Sequence, residues 1–355
     1  MRITQAEAWL VTMRLEEPYS VAYRYSDSTT NVFFRLETDQ GVFGLGCVAP
    51  DPEVTGETAE QTLQTLQGVV LPLVKGEDPL RITKLLEAAK PHLLGAPAAL
   101  GALDLALHDL IGKVAGLPLW RLLGGYRESI ATSMTIGILP EAETVERALH
   151  WIERGFRILK IKGGHDWEID IARIRRVREA VGNEITIRFD ANQGYTPEAA
   201  LKFAWAASAA RVELMEQPVA KHKVEELALV NSRSPLPIMA DESLTTLSQA
   251  KELALHRSVS LFNIKLTKVG GIHEAMKMLS LADSSKIGIM IGCMDEASAG
   301  ISAGLHLALA RPEVTLADLD GHIGLEGDPT AGSVRVENGF LFPSHEPGLG
   351  CGGIR

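Results

Sequence analysis

The chain has 355 residues, 46% of them hydrophobic, and a formal net charge of −10. That length and apolar share suffice for one large α/β barrel or for two domains, and an ordinary charged content of 23% excludes wholesale disorder. The acidic balance, with no block of Lys or Arg, argues against nucleic acid and against an anionic membrane as partners.

Cys47, Cys293 and Cys351 lie far apart and are odd in number, so neither a disulfide framework nor a zinc spacing emerges. Residues 1–19 scatter charges among their apolar side chains and lack the apolar stretch of a signal peptide. No apolar run reaches the roughly 20 residues of a membrane span. The expectation is a protein of a reducing, cytoplasmic compartment.

Residues 2–14 alternate apolar and polar side chains as a strand does. Residues 31–48 read as a hairpin: Val-Phe-Phe-Arg-Leu, a turn at Asp39-Gln-Gly41, then Val-Phe-Gly-Leu-Gly. Between them, 16–30 has no periodicity and reads as a long loop, of a length often used for lids. Helical periodicity covers 56–75 and 79–93. Residues 98–114 spell a strongly apolar helix, expected to be buried. The first third is therefore a small α+β unit.

From residue 130 the rhythm changes. Short β-rich runs at 130–135, 158–162, 185–190, 212–216, 238–241, 261–265, 288–292 and 315–320 alternate with amphipathic helices such as 142–154, 167–181, 197–209 and 247–255. One βα unit recurs about every 25 to 30 residues, which predicts a TIM-type barrel rather than an open sheet. Residues 333–355 carry a hairpin (Val-Arg-Val-Glu-Asn-Gly-Phe-Leu-Phe) and a Gly-rich tail, expected to pack back on the N-terminal unit. The expected division is an α+β cap over 1–125, joined by 333–355, and a barrel over 126–332.

In such a barrel, chemistry sits where strands end at the C-terminal face. Here the second run ends in Lys160-Ile-Lys162, the third in Asp190-Ala-Asn192, the fourth in Glu216-Gln-Pro218, the fifth in Asp241-Glu-Ser243, the sixth in Lys265 and the eighth in Asp318-Leu-Asp320. The two-residue period points Lys160 and Lys162 the same way, into the mouth. Their mutual repulsion and partial burial favour a neutral lysine that acts as a base; two solvated lysines on a surface strand are the plain alternative. Asp190, Glu216 and Asp241 make a hard-oxygen cage suited to one Mg2+ per subunit. Any one of them alone reads equally well as a helix cap; three on successive strands, flanked by lysine-ended strands, point to chemistry. Lys162 and Lys265 then face each other across a substrate carboxylate held on the metal. A proton beside a carboxylate is very weakly acidic, but a divalent cation stabilises the enediolate while lysine takes the proton. With a base on each face, the proton leaves on one side and returns on the other, as in a racemisation or epimerisation.

Over nearly its whole length the chain resembles the muconate lactonizing enzyme subgroup of the enolase superfamily. The matching pieces are Ala102-Leu-Asp-Leu-Ala-Leu-His-Asp109 with Gly112-Lys113, Leu122-Leu-Gly-Gly125, Lys160-Ile-Lys162, Asp190-Ala-Asn192, Glu216-Gln-Pro218, Ala240-Asp-Glu-Ser243, Asn263-Ile-Lys-Leu266 and Gly270-Gly271. The resemblance implies a capping domain from both termini over a modified TIM barrel, (β/α)7β. It implies Mg2+ on Asp190, Glu216 and Asp241, acid/base lysines at Lys162 and Lys265, and Lys160 holding the substrate carboxylate and tuning Lys162. The His-Asp base of the mandelate racemase subgroup is absent. Barrels of this family are often oligomers, so a homo-oligomer is compatible with the resemblance.

The subgroup spans cycloisomerisation, o-succinylbenzoate synthesis, N-acylamino acid racemisation and dipeptide epimerisation. Asp318 and Asp320 choose among them: their spacing puts both carboxylates on one side of the last strand, where they suit a substrate ammonium group. The pair resembles the motif by which dipeptide epimerases hold the free α-amino group; a solvated loop start is the alternative. Arg24 resembles the lid arginine that contacts glutamate in Ala-Glu epimerases. Asp295, with Asp51 or Glu53 from the cap, points instead to a cationic or polar side chain, unless it is only a helix cap. Thr135 is a candidate substrate contact, and Asn192 and Glu242 are candidate supports for the metal ligands. The expectation is a Mg2+-dependent dipeptide epimerase acting at the α-carbon of the C-terminal residue of an L,L-dipeptide, a cationic one placed ahead of L-Ala-L-Glu. The rivals are an N-acylamino acid racemase, o-succinylbenzoate synthase or muconate-type cycloisomerase, and a metabolite-binding barrel without catalysis. Acid-sugar dehydration calls for a His at a matching strand end, and none stands there.

Overall fold

The computed structural model describes residues 1–22 and 24–352; Tyr23 of the lid stretch and residues 353–355 of the Gly-rich tail lie outside them. Three antiparallel strands open the chain: β1 (Ile3–Val21), β2 (Arg24–Thr38) and β3 (Phe43–Val48). After a helical stretch comes β4 (Ile130–Ala131), then β5 (Met134–Ile136), β6 (Ile158–Lys162), β7 (Thr186–Asp190), β8 (Val212–Glu216), β9 (Ile238–Ala240), β10 (Leu261–Lys265), β11 (Gly288–Gly292) and β12 (Val314–Asp318). β13 (Leu325–Glu326), β14 (Val334–Glu337) and β15 (Phe340–Pro343) follow.

Strands β5 to β12 pair in sequence order as one eight-stranded sheet, with parallel registers throughout. Their outward residues, among them Leu159, Ile161, Ile187, Phe189, Phe262, Ile264 and Ile291, are buried because the helices cover them. The inward positions follow from register. Lys162 lies beside Asp190, Asp190 beside Glu216, and Gly292 lies between Lys265 and Asp318. Beneath them Leu214, Met239 and Met290 form a small apolar cluster of their own. Between β12 and β5 the sheet closes through few bonds. The Ser133 N–H donates to Ala317 O at 3.3 Å, the Thr135 N–H to Asp320 Oδ2 at 2.6 Å, and the Leu319 N–H to Thr132 Oγ1 at 2.8 Å.

Residues 16–30, expected as a loop, continue β1 and β2 as a long hairpin, with Tyr19 opposite Ser26 and Val21 opposite Arg24. The register jumps between Arg14–Ser28 and Tyr19–Ser26, so residues 15–18 oppose one residue. That bulge, with Pro18 unable to donate, erases the two-residue period that marks a strand. The expected strand 130–135 splits: β4 pairs with β15, Thr132 and Ser133 turn toward β12, and only β5 joins the barrel. The C-terminal segment divides its contacts. β14 pairs with β15 and β15 with β4, whereas the fourth strand of the cap sheet is β13.

The helix Pro97–Ala115 ties the parts together and is buried along nearly its whole length. β3 lies directly on it because Gly44 and Gly46 have no Cβ; one at Gly46 would stand 2.1 Å from Ala102 O. Asp104 accepts the Ile272 and His273 N–H groups at 2.6 and 3.1 Å, so it caps the barrel helix Ile272–Ser285. Asp109 accepts the Leu45 N–H and the Leu349 N–H, both at 2.8 Å, and Lys113 Nζ at 2.6 Å. Among the described residues no helix is long and apolar enough to cross a membrane.

Asp109→Ala would leave two buried amides from separate segments without an acceptor. It should lower stability by about 3 kcal/mol or more, read as a fall in calorimetric midpoint. A midpoint within about 1 °C of the parent would show that the tie carries no stability.

Candidate active site

The barrel mouth concentrates buried charge. Asp190, Glu216 and Asp241, at the ends of β7, β8 and β9, are 0%, 1% and 1% exposed. Each has lysine against it. Lys162 Nζ is 2.7 Å from Asp190 Oδ2. Lys160 Nζ lies 2.8 Å from Asp318 Oδ2, 2.9 Å from Glu216 Oε2 and 3.1 Å from Asp190 Oδ2. Lys265 Nζ is 2.8 Å from Asp241 Oδ2. Lys268 Nζ donates to Asp241 Oδ1 at 2.5 Å and to Asn263 O at 3.1 Å.

The expected lysine–lysine repulsion is not what dominates. Burial pulls Lys160 and Lys265 down, but the carboxylates around them outweigh it and hold both well above the ordinary lysine range. Only at Lys268 does burial win over Asp241, and its ammonium is pushed down. Among the carboxylates, burial and the neighbouring Asp190 push Glu216 up to about 7. At Asp241 the lysines overcome burial and hold the carboxyl far below the usual range.

By donor type the three carboxylates fit Mg2+. Glu216 Oε2 is buried 2.9 Å from Lys160 Nζ and, among the described residues, has no hydrogen-bond partner. The ligand oxygens of the trio do not meet a mutual distance of 4.8 Å, and lysine ammonium groups stand beside them. Among the described residues only Glu87, His273 and Glu274 meet that distance. That exposed to half-buried group is already matched by Lys90 and Lys277.

A cavity of about 270 Å³ opens above these charges. Of the residues singled out in the sequence, Arg24, Thr135, Lys160, Lys162, Asn192, Asp241, Glu242, Lys265, Asp295, Asp318 and Asp320 line it, and so does Asp51. Asp190 and Glu216 do not. Glu53 does not either; its backbone oxygen accepts from Lys221 Nζ at 2.5 Å. The two last-strand carboxylates differ. Asp318 takes Ser133 Oγ on Oδ1 at 2.5 Å and Lys160 on Oδ2, and Lys160 outweighs burial to hold it down at about 2. Burial and Asp318 push Asp320 up to about 6; its Oδ2 takes the Thr135 N–H, and its Oδ1 has the Cys293 thiol at 3.9 Å. Thr135 therefore meets Asp320 through its side chain as well as its backbone.

The hairpin of β1 and β2 roofs the cavity and is fastened to the barrel. The Tyr19 hydroxyl donates to Asp295 Oδ2 at 2.8 Å, and Thr29 Oγ1 and Asn31 Nδ2 donate to Asp295 O at 2.9 and 3.0 Å. Glu17 pairs with Arg147, and Arg24 pairs with Asp51. Asn192 Nδ2 reaches Glu242 Oε1 at 3.4 Å, and its N–H donates to Asp190 Oδ1 at 2.9 Å.

Several contributors escape the sequence reading. Lys268 stands three residues, about one helical turn, past Lys265, a spacing that marks it. Asn263, two before Lys265 and so on the same face, donates to Glu216 Oε1 at 2.7 Å. Gly292 leaves room for it; a Cβ there would stand 2.3 Å from Asn263 Oδ1. Ser133 and Tyr19 meet partners 185 and 276 residues away, which no local pattern signals.

Two family models match the chain: the mandelate racemase / muconate lactonizing enzyme N-terminal domain over residues 4–124, and the enolase C-terminal domain-like unit over 143–352. The L-Lys-D/L-Arg epimerase of Desulforapulum autotrophicum is 39% identical over 352 residues, 99% of each chain. The substrate-liganded L-Ala-D/L-Glu epimerase of Bacillus subtilis superposes with a TM-score of 0.97 at 33% identity, covering 100% of both chains. The dipeptide epimerase of Enterococcus faecalis V583, complexed with Mg and L-Leu-L-Tyr, gives 0.96 at 39% identity over 99% of both.

Mg2+ at about a hundred times its Kd should stabilise the protein by about 2.7 kcal/mol, read as a higher thermal midpoint. The gain should vanish in Glu216→Gln and in Asp241→Asn. A gain that survives both would place the ion elsewhere, with Glu87, His273 and Glu274 the next candidates.

Proposed function

The chain belongs to the mandelate racemase / muconate lactonizing enzyme family of the enolase superfamily, and on that premise we propose that it is a Mg2+-dependent dipeptide epimerase. It inverts the α-carbon of the C-terminal residue of an L,L-dipeptide. The observation that carries this reading is the meeting, in one cavity, of lysines from β6 and β10 with the paired carboxylates of Asp318 and Asp320.

Asp190, Glu216 and Asp241 would hold the Mg2+, which supplies the charge that stabilises an enediolate. The protein's own residues do the rest. Asp320 takes the substrate ammonium, and Asp318, already engaged by Lys160, adds to the negative field there. Lys160 turns its charge to the substrate carboxylate. Lys162 Nζ takes the α-proton from one face, and the Lys265 ammonium delivers a proton to the other; the reverse reaction exchanges their roles. An N-acylated substrate has no ammonium for Asp320, which speaks against the racemase and cycloisomerase readings.

The relatives include a Lys/Arg epimerase, an Ala/Glu epimerase and a dipeptide epimerase complexed with L-Leu-L-Tyr, so family membership leaves the side chain open. We read it as cationic or polar. Arg24 is already matched by Asp51, which weakens its pull on a glutamate side chain. Asp295 faces the cavity with a neutral phenol as its side-chain partner. The free thiols of Cys47, Cys293 and Cys351 support a cytoplasmic setting.

The test is deuterium uptake at the C-terminal α-carbon from D2O, with Mg2+ and pooled L,L-dipeptides, read by mass spectrometry. Uptake by Lys- or Arg-containing dipeptides is expected. Uptake by Ala-Glu alone would move specificity to Arg24, and uptake by N-acylamino acids alone would overturn the dipeptide reading. Lys162→Ala and Lys265→Ala should each lower epimerisation by about a thousandfold or more, while each still exchanges the α-proton of one epimer. Full activity in either variant would sink the two-base scheme.

A further inference from the structure

Under the turn that follows Lys162 lies a buried ionic knot that the proposed chemistry does not use. Arg173, on the helix Trp167–Val181 that follows β6, is 2% exposed. Its Nη2 donates to the backbone oxygen of Lys162 at 2.8 Å and to Asp170 Oδ1 at 2.5 Å. Asp170 Oδ2 in turn accepts the Gly164 N–H at 2.8 Å and the Tyr195 hydroxyl at 2.5 Å. On the other side the Gly163 N–H donates to Asp190 O at 2.9 Å. The turn has no slack. A Cβ at Gly163 would stand 2.5 Å from Phe189 Cζ and 2.7 Å from Asp170 Cγ; one at Gly164 would stand 2.1 Å from Ala191 O.

A buried ion pair adds little net stability, because desolvation offsets most of the attraction, but it does fix direction. Here what is fixed is the carbonyl of the residue that carries one base. Lys265, on β10 and followed at once by the helix Leu266–Val269, takes no part in the knot.

We propose that Arg173 is a positioning residue for Lys162: with Asp170 and Tyr195 it clamps the Lys162 carbonyl and the Gly163-Gly164 turn, and so aims Nζ at one face of the substrate α-carbon. The inference rests on the two-base reading above. It has a signature that general damage lacks: its loss is felt by one epimer only, since Lys265 serves the other.

The experiment uses the full chain with Mg2+ in D2O and offers each epimer of a substrate dipeptide separately, with α-proton exchange followed by NMR. In Arg173→Lys, exchange from one epimer should fall by about tenfold or more while the other stays within about twofold. Tyr195→Phe, which removes a single hydroxyl, should show the same one-sidedness at smaller size, and it carries the test where Arg173→Lys does not fold. Equal losses for both epimers, or no loss, overturn the proposal. Amide hydrogen exchange gives a readout that needs no substrate: protection over 158–164 should fall in both variants while that over 261–265 holds, and unchanged protection over 158–164 overturns the clamp. No uptake by the unmodified protein from any dipeptide would instead overturn the epimerase reading.

Discussion

Charge balance inside the barrel mouth is the constraint on which the rest of the structure depends. Asp190, Glu216 and Asp241 end adjacent strands and are buried from solvent. Unmatched carboxylates there would cost several kcal/mol each. Lys160, Lys162, Lys265 and Lys268 supply the opposite charge. Three of these, Lys160, Lys162 and Lys265, are also the groups that the proposed chemistry would call on. Lysine suits both tasks because its ammonium is a compact charge on a flexible stem and loses its proton when surroundings change. An arginine in any of these places would balance charge equally well and could never act as a base.

That balance needs a roof, and the cap supplies it through few, well-defined ties. The helix Pro97–Ala115 is held to β3 by glycine contacts, to the barrel helix Ile272–Ser285 by Asp104, and to the terminal segment by Asp109. With that joint fixed, the β1–β2 hairpin reaches the mouth at a set height, and Tyr19 meets Asp295 across it. Cap and barrel thus build one cavity, although 276 residues separate the two ends of that hydrogen bond.

The barrel and the identity of its strand ends were legible in the sequence because both depend on local facts: a repeating unit, a two-residue period, and a charged residue closing an apolar run. Lys160, Lys162, Lys265, Asp318 and Asp320 all arrive at the cavity on that logic. Asp190 and Glu216 end their strands in the same way but do not line the cavity. What stayed hidden depends on distant partners. The roof hairpin has its alternation broken by the bulge at residues 15–18, and Ser133 acquires its place only when the first and last barrel strands meet. Lys268 lies one helical turn past Lys265, beyond the strand end that the two-residue period marks. Arg24 and Asp51 were both marked, but their pairing follows from the fold of the cap alone.

The seam of the barrel has a consequence for how such an enzyme changes its substrate. The stretch from Ser133 to Thr135 meets the last strand through Ala317 and through Asp318 and Asp320, the two residues proposed to hold the substrate's amine. Recognition and closure of the cylinder are therefore one structure. A lineage drifting toward substrates without an amine must re-fasten the barrel in the same step, which makes that route steep. Drift among side chains is gentle by comparison, because Arg24, Asp51 and Asp295 touch the cavity from loops and a hairpin that fasten no barrel strand to its neighbour. Such a protein is expected to wander widely across dipeptides and rarely away from them.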